Sequence, residues 1–324
     1  MPNPDRTSGN RPGGNKPGAE RSWRPRFPID LGAVLGPLSR GEGYRTFRFS
    51  GPAMSPRRSA WWATSTPEGP GTLHLVVQPQ DGEVRAEAWG PGARWLCDGV
   101  PSLLGDGDVI EGFEPAHPQV AEAWRRAAGW RLMRAGRPFD ACVNAVIEQK
   151  VTGIEARRAW QTLVGAFGEP AHGPAPPGMA TPPTPSAWRH VSDADFHRAG
   201  VTPHRIRTIR TVASAARAIE STAGVASSEA DRVLRALPGV GAWTSAEVRQ
   251  RSHGDPDALS VGDFHLAKDL CFWLTGERGD EARMQELLEP YRGHRYRVQR
   301  LMEMSGVSAP RRGPRMTLPR HRSR

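Results

Sequence analysis

Ser228-Glu-Ala-Asp-Arg-Val-Leu-Arg-Ala-Leu237-Pro238-Gly239-Val240-Gly241-Ala242-Trp243-Thr244-Ser245-Ala246 is the stretch from which the rest of the chain can be read. Ser228 followed three residues later by Asp231 predicts a capped helix start, and the apolar spacing carries that helix to Ala236. Leu237-Pro238 ends it. Gly239 and Gly241 permit backbone angles that a side chain resists, so the chain can reverse within a few residues. A second helix is predicted from Ala242. Its first amides have no intrahelical partner and sit at the positive end of the helix dipole, where a phosphate is well received. A tight helix connection with no ligand would read much the same, so the flanking sequence has to decide.

Asp263 follows Gly241 by twenty-two residues, in Leu259-Ser260-Val261-Gly262-Asp263-Phe264-His265-Leu266-Ala267-Lys268. It stands just ahead of an apolar-periodic segment, in the expected N-cap position, where amide hydrogen bonds and the dipole favour an ionised carboxylate. Capping alone would explain it. A fixed anion there could also stabilise positive charge developing on a sugar and orient water against it. Gly254-Asp255-Pro256-Asp257, just upstream, reads as a turn.

Further out, two textures divide the chain. Residues 27–114 hold short period-two runs such as Thr72-Leu-His-Leu-Val-Val77 and Val84-Arg-Ala-Glu-Ala-Trp89, broken by Gly and Pro. They predict an antiparallel sheet with one covered face. From 115 to 305 the period becomes helical, with helices expected over 117–134, 139–167, 187–199, 205–221, 228–236, 242–252, 264–274 and 281–288. Residues 170–185 hold seven prolines and read as a surface loop. The expected class is therefore α+β: a small N-terminal antiparallel β domain with helices, followed by an all-α domain.

The charge is unevenly placed. Residues 1–26 carry a net +4 and residues 309–324 a net +6, which accounts for the whole formal charge of +10. The segments 1–26 and 306–324 read as disordered basic tails that would raise salt-dependent affinity for phosphate. An acidic protein partner would favour the same tails. No run of 18 apolar residues argues for a membrane span. Three scattered cysteines, Cys97, Cys142 and Cys271, make neither a disulfide framework nor a metal spacing, as expected in a reducing cytoplasm.

The Leu237–Ala242 turn between two helices, with Asp263 after a Gly/Pro-rich loop, resembles the helix-hairpin-helix of the HhH-GPD superfamily of DNA glycosylases. The resemblance covers about residues 28–305, strongest over 138–153 and 237–270. It implies that Leu237, Gly239, Val240, Gly241, Ala242 and Thr244 bind the DNA backbone and that Asp263 is catalytic. Pro138-Phe-Asp-Ala-Cys-Val-Asn-Ala-Val-Ile-Glu-Gln149-Lys150-Val-Thr152 is similar to the helix that ends in the family's Gln and wedge residue, making Gln149 and Lys150 DNA contacts. An apolar wedge would replace base stacking better than Lys150. Glu289–Tyr296 is similar to the family's closing segment, and Trp89–Trp95 to part of its β domain.

Bifunctional members carry a nucleophilic lysine where this chain has Trp243, so the resemblance implies hydrolysis by water without strand cleavage. Trp at that position is what 3-methyladenine DNA glycosylase II and its relatives carry, and the iron–sulfur cysteines are missing. Trp243, Glu247 and Met302 fall at base-pocket positions, the last two in place of a family Tyr and Trp. The expected function is a monomeric, cytoplasmic, nucleoid-associated enzyme that excises flipped alkylated purines from double-stranded DNA. No organic cofactor is expected; the resemblance allows a monovalent cation at the hairpin carbonyls. Excision of oxidised or deaminated bases, and damage binding without chemistry, remain open at this point.

Overall fold

Alternating runs between residues 19 and 89 form one sheet in the computed structural model, which describes residues 16–310 apart from 42, 53–57, 79 and 81. Among the described residues the strands are β1 (Ala19–Trp23), β2 (Phe47–Ser50), β3 (Ser59–Thr66), β4 (Gly69–Val77) and β5 (Val84–Trp89). All neighbours are antiparallel, in the order β1-β5-β4-β3-β2. Residues 1–15 and 311–324 of the expected tails lie outside the described residues. Within the N-terminal tail the expectation needs correcting: Ala19–Trp23 is the edge strand beside β5, with Ala19 opposite Ala88 and Trp23 opposite Val84. Its alternating half-buried and exposed residues earn that place despite the basic surroundings.

Both faces of the sheet are covered, where one was expected. On one face Trp62, Leu73, Leu75, Ala86 and Ala88 join the main core. On the other, Trp61, Ala63 and Trp89 are covered by Met179, with Ala171 and Ala175 packed alongside. The proline-rich loop is therefore a lid on the sheet. Arg45 and Arg48 donate to the Gly178 and Pro177 carbonyls (3.0 and 2.9 Å) and fasten it.

Helix α1 (Leu31–Leu35) precedes β2, and α2 (Ala93–Asp98) and α3 (Val100–Leu103) follow β5. The helical part then runs α4 (Pro118–Arg126), α5 (Pro138–Glu148), α6 (Gly153–Phe167), α7 (Pro185–His190), α8 (Asp193–Arg198), α9 (Pro203–Ser214) and α10 (Ala216–Ser221). It ends with α11 (Ser227–Arg235), α12 (Ala242–Val248), α13 (Leu266–Thr275), α14 (Glu281–Leu288) and α15 (Arg295–Ser305). Several expected helices are split. The segment 139–167 breaks at Gln149–Thr152, because Thr152 and Glu155 form a reciprocal capping box that starts α6 afresh. Ser192 likewise caps α8 and separates it from α7. The segment 205–221 divides at Ala215. The segment 117–134 stops at Arg126, and 242–252 passes into a wide five-residue turn, Arg249–His253.

One core cluster runs from the sheet through α5, α9, α13 and α15. Its strongest polar fastening is Arg297, fully buried on α15, whose guanidinium bonds both Asp108 oxygens (2.9 and 2.7 Å). Phe113, Trp124 and Trp130 surround that guanidinium.

Candidate active site at the hairpin

Helices α11 and α12 enclose the predicted turn. The expected cap does not form: α11 starts at Ser227 without a side-chain cap. Asp231 instead accepts the Ser245 hydroxyl across the hairpin (2.7 Å) and lies against Arg249 (3.3 Å), tying the two helices together. Val240 N–H donates to the Leu237 carbonyl (3.0 Å), closing the bend.

The two glycines serve different ends. Gly239 has φ +88°, and a Cβ there would fall 2.2 Å from the Thr208 hydroxyl. Gly241 has ordinary extended angles, and a Cβ would meet nothing within 4 Å. Folding demands the first glycine; the second leaves room for something outside the protein. Residues 235–241 line an open concavity on this surface.

Asp263 is partly exposed and lies within hydrogen-bond reach of Trp243, two residues past the bend. Helix α13 begins at Leu266, later than expected, so Asp263 caps it from outside. Oδ1 accepts the amides of His265 (2.8 Å) and Leu266 (3.0 Å). Oδ2 accepts the indole N–H of Trp243 (3.3 Å), from the first turn of α12. Hairpin and carboxylate are thus joined by one side chain. The turn upstream is held by its own acids. Asp255 pairs with Arg249 and accepts Asp257 N–H (2.8 Å). Asp257 grips Arg295 and Gly293 N–H, anchoring α15. Arg295 keeps the Asp257 carboxyl below its usual range against the opposing effect of burial.

Gln149, at the end of α5, reaches into the hairpin. Its amide nitrogen donates to the Gly239 carbonyl (2.9 Å) and to Thr244 Oγ1 (2.8 Å). Lys150 beside it is exposed and has φ +54°, alone in positive φ among the described non-glycine residues. Such a conformation costs about 1–3 kcal/mol and tends to occur where a loop serves a ligand.

The three expected base-pocket residues do not share one surface. Trp243 is half-buried beside Asp263. Glu247, one turn later, is buried: Oε2 accepts Arg251 (2.6 Å) and Oε1 accepts the Ser260 hydroxyl (2.6 Å). Burial opposes its charge, but Arg251 and Ser260 overcome this and keep its carboxyl below the usual range. Met302 lies in the core, 4% exposed. Sequence reading missed Arg251 as the partner of Glu247, although their i, i+4 spacing was a visible signal. The three cysteines are free and buried. Among the described residues no group of three or more His, Cys, Asp or Glu could hold a metal ion. No helix there is long and apolar enough to cross a membrane.

No family model matches the chain. A probable bifunctional transcriptional activator/DNA repair enzyme AlkA, found in two strains of Mycobacterium tuberculosis, is 33% identical over 172 residues. The match takes in 52% of this chain but only 34% of the relative, so the chain spans about a third of the protein it matches. A 3-methyladenine DNA glycosylase from Archaeoglobus fulgidus superposes with a TM-score of 0.69 over 88% of this chain and 98% of its own, at 15% identity. An 8-oxoguanine glycosylase/lyase from Clostridium acetobutylicum, bound to double-stranded DNA, gives 0.61 over 86% and 92%, at 12% identity.

The chain therefore has the fold of the solved DNA glycosylases. In sequence, the likeness is to the probable AlkA and extends over about half of this chain.

Proposed function

We propose that this chain is a monofunctional DNA glycosylase that hydrolyses the N-glycosidic bond of alkylated purines flipped out of double-stranded DNA, acting as a monomer. The observation that carries this reading is the Asp263 carboxylate, partly open to solvent and tied to the hairpin by the Trp243 indole. The hairpin from Leu237 to Thr244 holds the backbone of the damaged strand. Gln149 braces the hairpin, and Lys150 beside it contacts the DNA next to the extruded nucleotide.

As the C1′–N bond breaks, its electron pair leaves with the base and positive charge gathers on the deoxyribose. The Asp263 carboxylate stabilises that charge electrostatically. Water adds to C1′ and its proton passes through Asp263 to solvent. A cationic N3- or N7-alkyl purine is already a good leaving group and is attracted to the face of Trp243. No amine stands at residue 243 to form a Schiff base, so no strand nicking is expected. The hairpin carbonyls could share a monovalent cation only alongside Gln149, whose amide already donates to the Gly239 carbonyl.

A second reading, damage binding without excision, draws support from Glu247 and Met302, neither of which is free to contact a base. The test is a panel of duplexes containing hypoxanthine, 1,N6-ethenoadenine, 7-methylguanine, 8-oxoguanine or uracil, with alkali cleavage of the product. Alkali-dependent cleavage by the wild type, abolished in Asp263→Asn with DNA affinity retained, supports the proposal. Binding without cleavage on every lesion selects the second reading. A borohydride-trapped adduct would overturn the monofunctional assignment.

A further inference from the structure

Phe264 follows Asp263 and is 75% exposed, the most exposed large hydrophobic side chain among the described residues. A single exposed ring needs no partner of its own, but this one directly follows Asp263 in the site, where its apolar face is open to whatever binds there. The ring is nonetheless held in place. His265 packs edge-on against it at 4.8 Å between centroids, and the Lys268 ammonium sits 4.3 Å from its centre. Lys268 Nζ also reaches the Phe264 carbonyl (3.4 Å).

A short chain of bonds links this ring to the other exposed loop of the site. Asp263 holds Trp243, the next residue Thr244 holds Gln149, and Lys150 follows Gln149. The residues preceding Lys150 and Phe264 are thus both bonded to the first turn of α12. Lys150 cannot supply the apolar surface that replaces a lost stacking partner. Phe264 can, and the ammonium beside it suits a neighbouring phosphate.

We propose that Phe264, backed by Lys268, stacks on the base flanking the extruded nucleotide and supplies the apolar wedge that Lys150 does not. This rests on the glycosylase reading for the nature of the ligand, not for the chemistry. The test uses the full chain and a duplex carrying a tetrahydrofuran abasic analogue with 2-aminopurine on either side, so no base need be removed. Phe264→Ala should weaken binding to this duplex about tenfold and abolish the 2-aminopurine response. Binding to undamaged duplex should change less than twofold, and Phe264→Trp should restore both signals. Thermal unfolding of both variants should match the wild type, since the ring is outside the core.

Equal loss on damaged and undamaged duplex would overturn the proposal, as would no loss on either. A wild-type protein that gives no 2-aminopurine response would overturn it as well. If the wild type stacks on the abasic duplex but excises nothing from the lesion panel, this inference stands and the enzyme reading fails.

Discussion

Replacing Trp243 by Phe should slow base excision about tenfold while leaving affinity for undamaged DNA within twofold. Asp263 accepts three donors, two of them backbone amides on Oδ1. The indole N–H is the donor on Oδ2, and at 3.3 Å it is a long hydrogen bond. Bonds to charged groups contribute about 1.5–3 kcal/mol. The length argues for the lower end, and about 1.4 kcal/mol is tenfold in rate. Without that donor the carboxylate can swing away from the position where charge develops. Single-turnover excision at saturating enzyme reads the effect, with fluorescence anisotropy on undamaged duplex as the control. Comparing lesions isolates the mechanism: phenylalanine keeps an aromatic face and gives up only the N–H, so the loss should agree within twofold between cationic 7-methylguanine and neutral hypoxanthine. A loss confined to the cationic lesion would refute the reasoning, because it would then come from the ring face and not from the hydrogen bond. So would a Trp243→Phe enzyme of unchanged rate.

Gln149→Ala removes two hydrogen bonds of about 1 kcal/mol each and should weaken duplex binding about 10- to 30-fold; anisotropy titration showing full affinity would disprove its bridging role. Arg297→Met leaves the Asp108 carboxylate buried without its cation and should cost about 3–5 kcal/mol in urea unfolding. Adding Asp108→Asn should recover a good part of that; no recovery would mean the ion pair is not the source. Burial lowers the His253 pKa to about 4 from an ordinary 6.5. The unfolded chain therefore takes up a proton first as the pH falls, and the stability from neutral His253 is lost between 6.5 and 4. The stability gap between wild type and His253→Gln should narrow by about 3 kcal/mol over that window, and a gap unaffected by pH in parallel thermal melts would contradict it.

The bend and its acid were legible because their signals are local. Pro238 restricts the backbone and Gly239 frees it wherever the segment sits, and Asp263 precedes an apolar run that needs a cap. The break after Gln149 was equally local, since Thr152 and Glu155 spell a capping box, but a continuous apolar period across 139–167 outweighed it in the reading. Strand β1 was hidden for another reason. The residues Ala19–Trp23 pair with the edge of β5, a partner far along the chain, and the surrounding Pro, Gly and Arg masked their alternation. The reach of Gln149 to the Gly239 carbonyl spans ninety positions and depends on α5 packing against α12, which no short window contains. Glu247 was placed by analogy with a tyrosine, and the neighbouring cation that withdraws it from the surface was overlooked.

The contrast between the two hairpin glycines carries a consequence for descent. A lineage that kept this protein but stopped using it on DNA would still be obliged to retain Gly239, whose neighbour Thr208 leaves no space for a methyl group. Nothing inside the molecule would protect Gly241, and substitutions would accumulate there first. Among homologues, the residue aligned with Gly241 should therefore separate working copies from idle ones while the fold around it is unchanged.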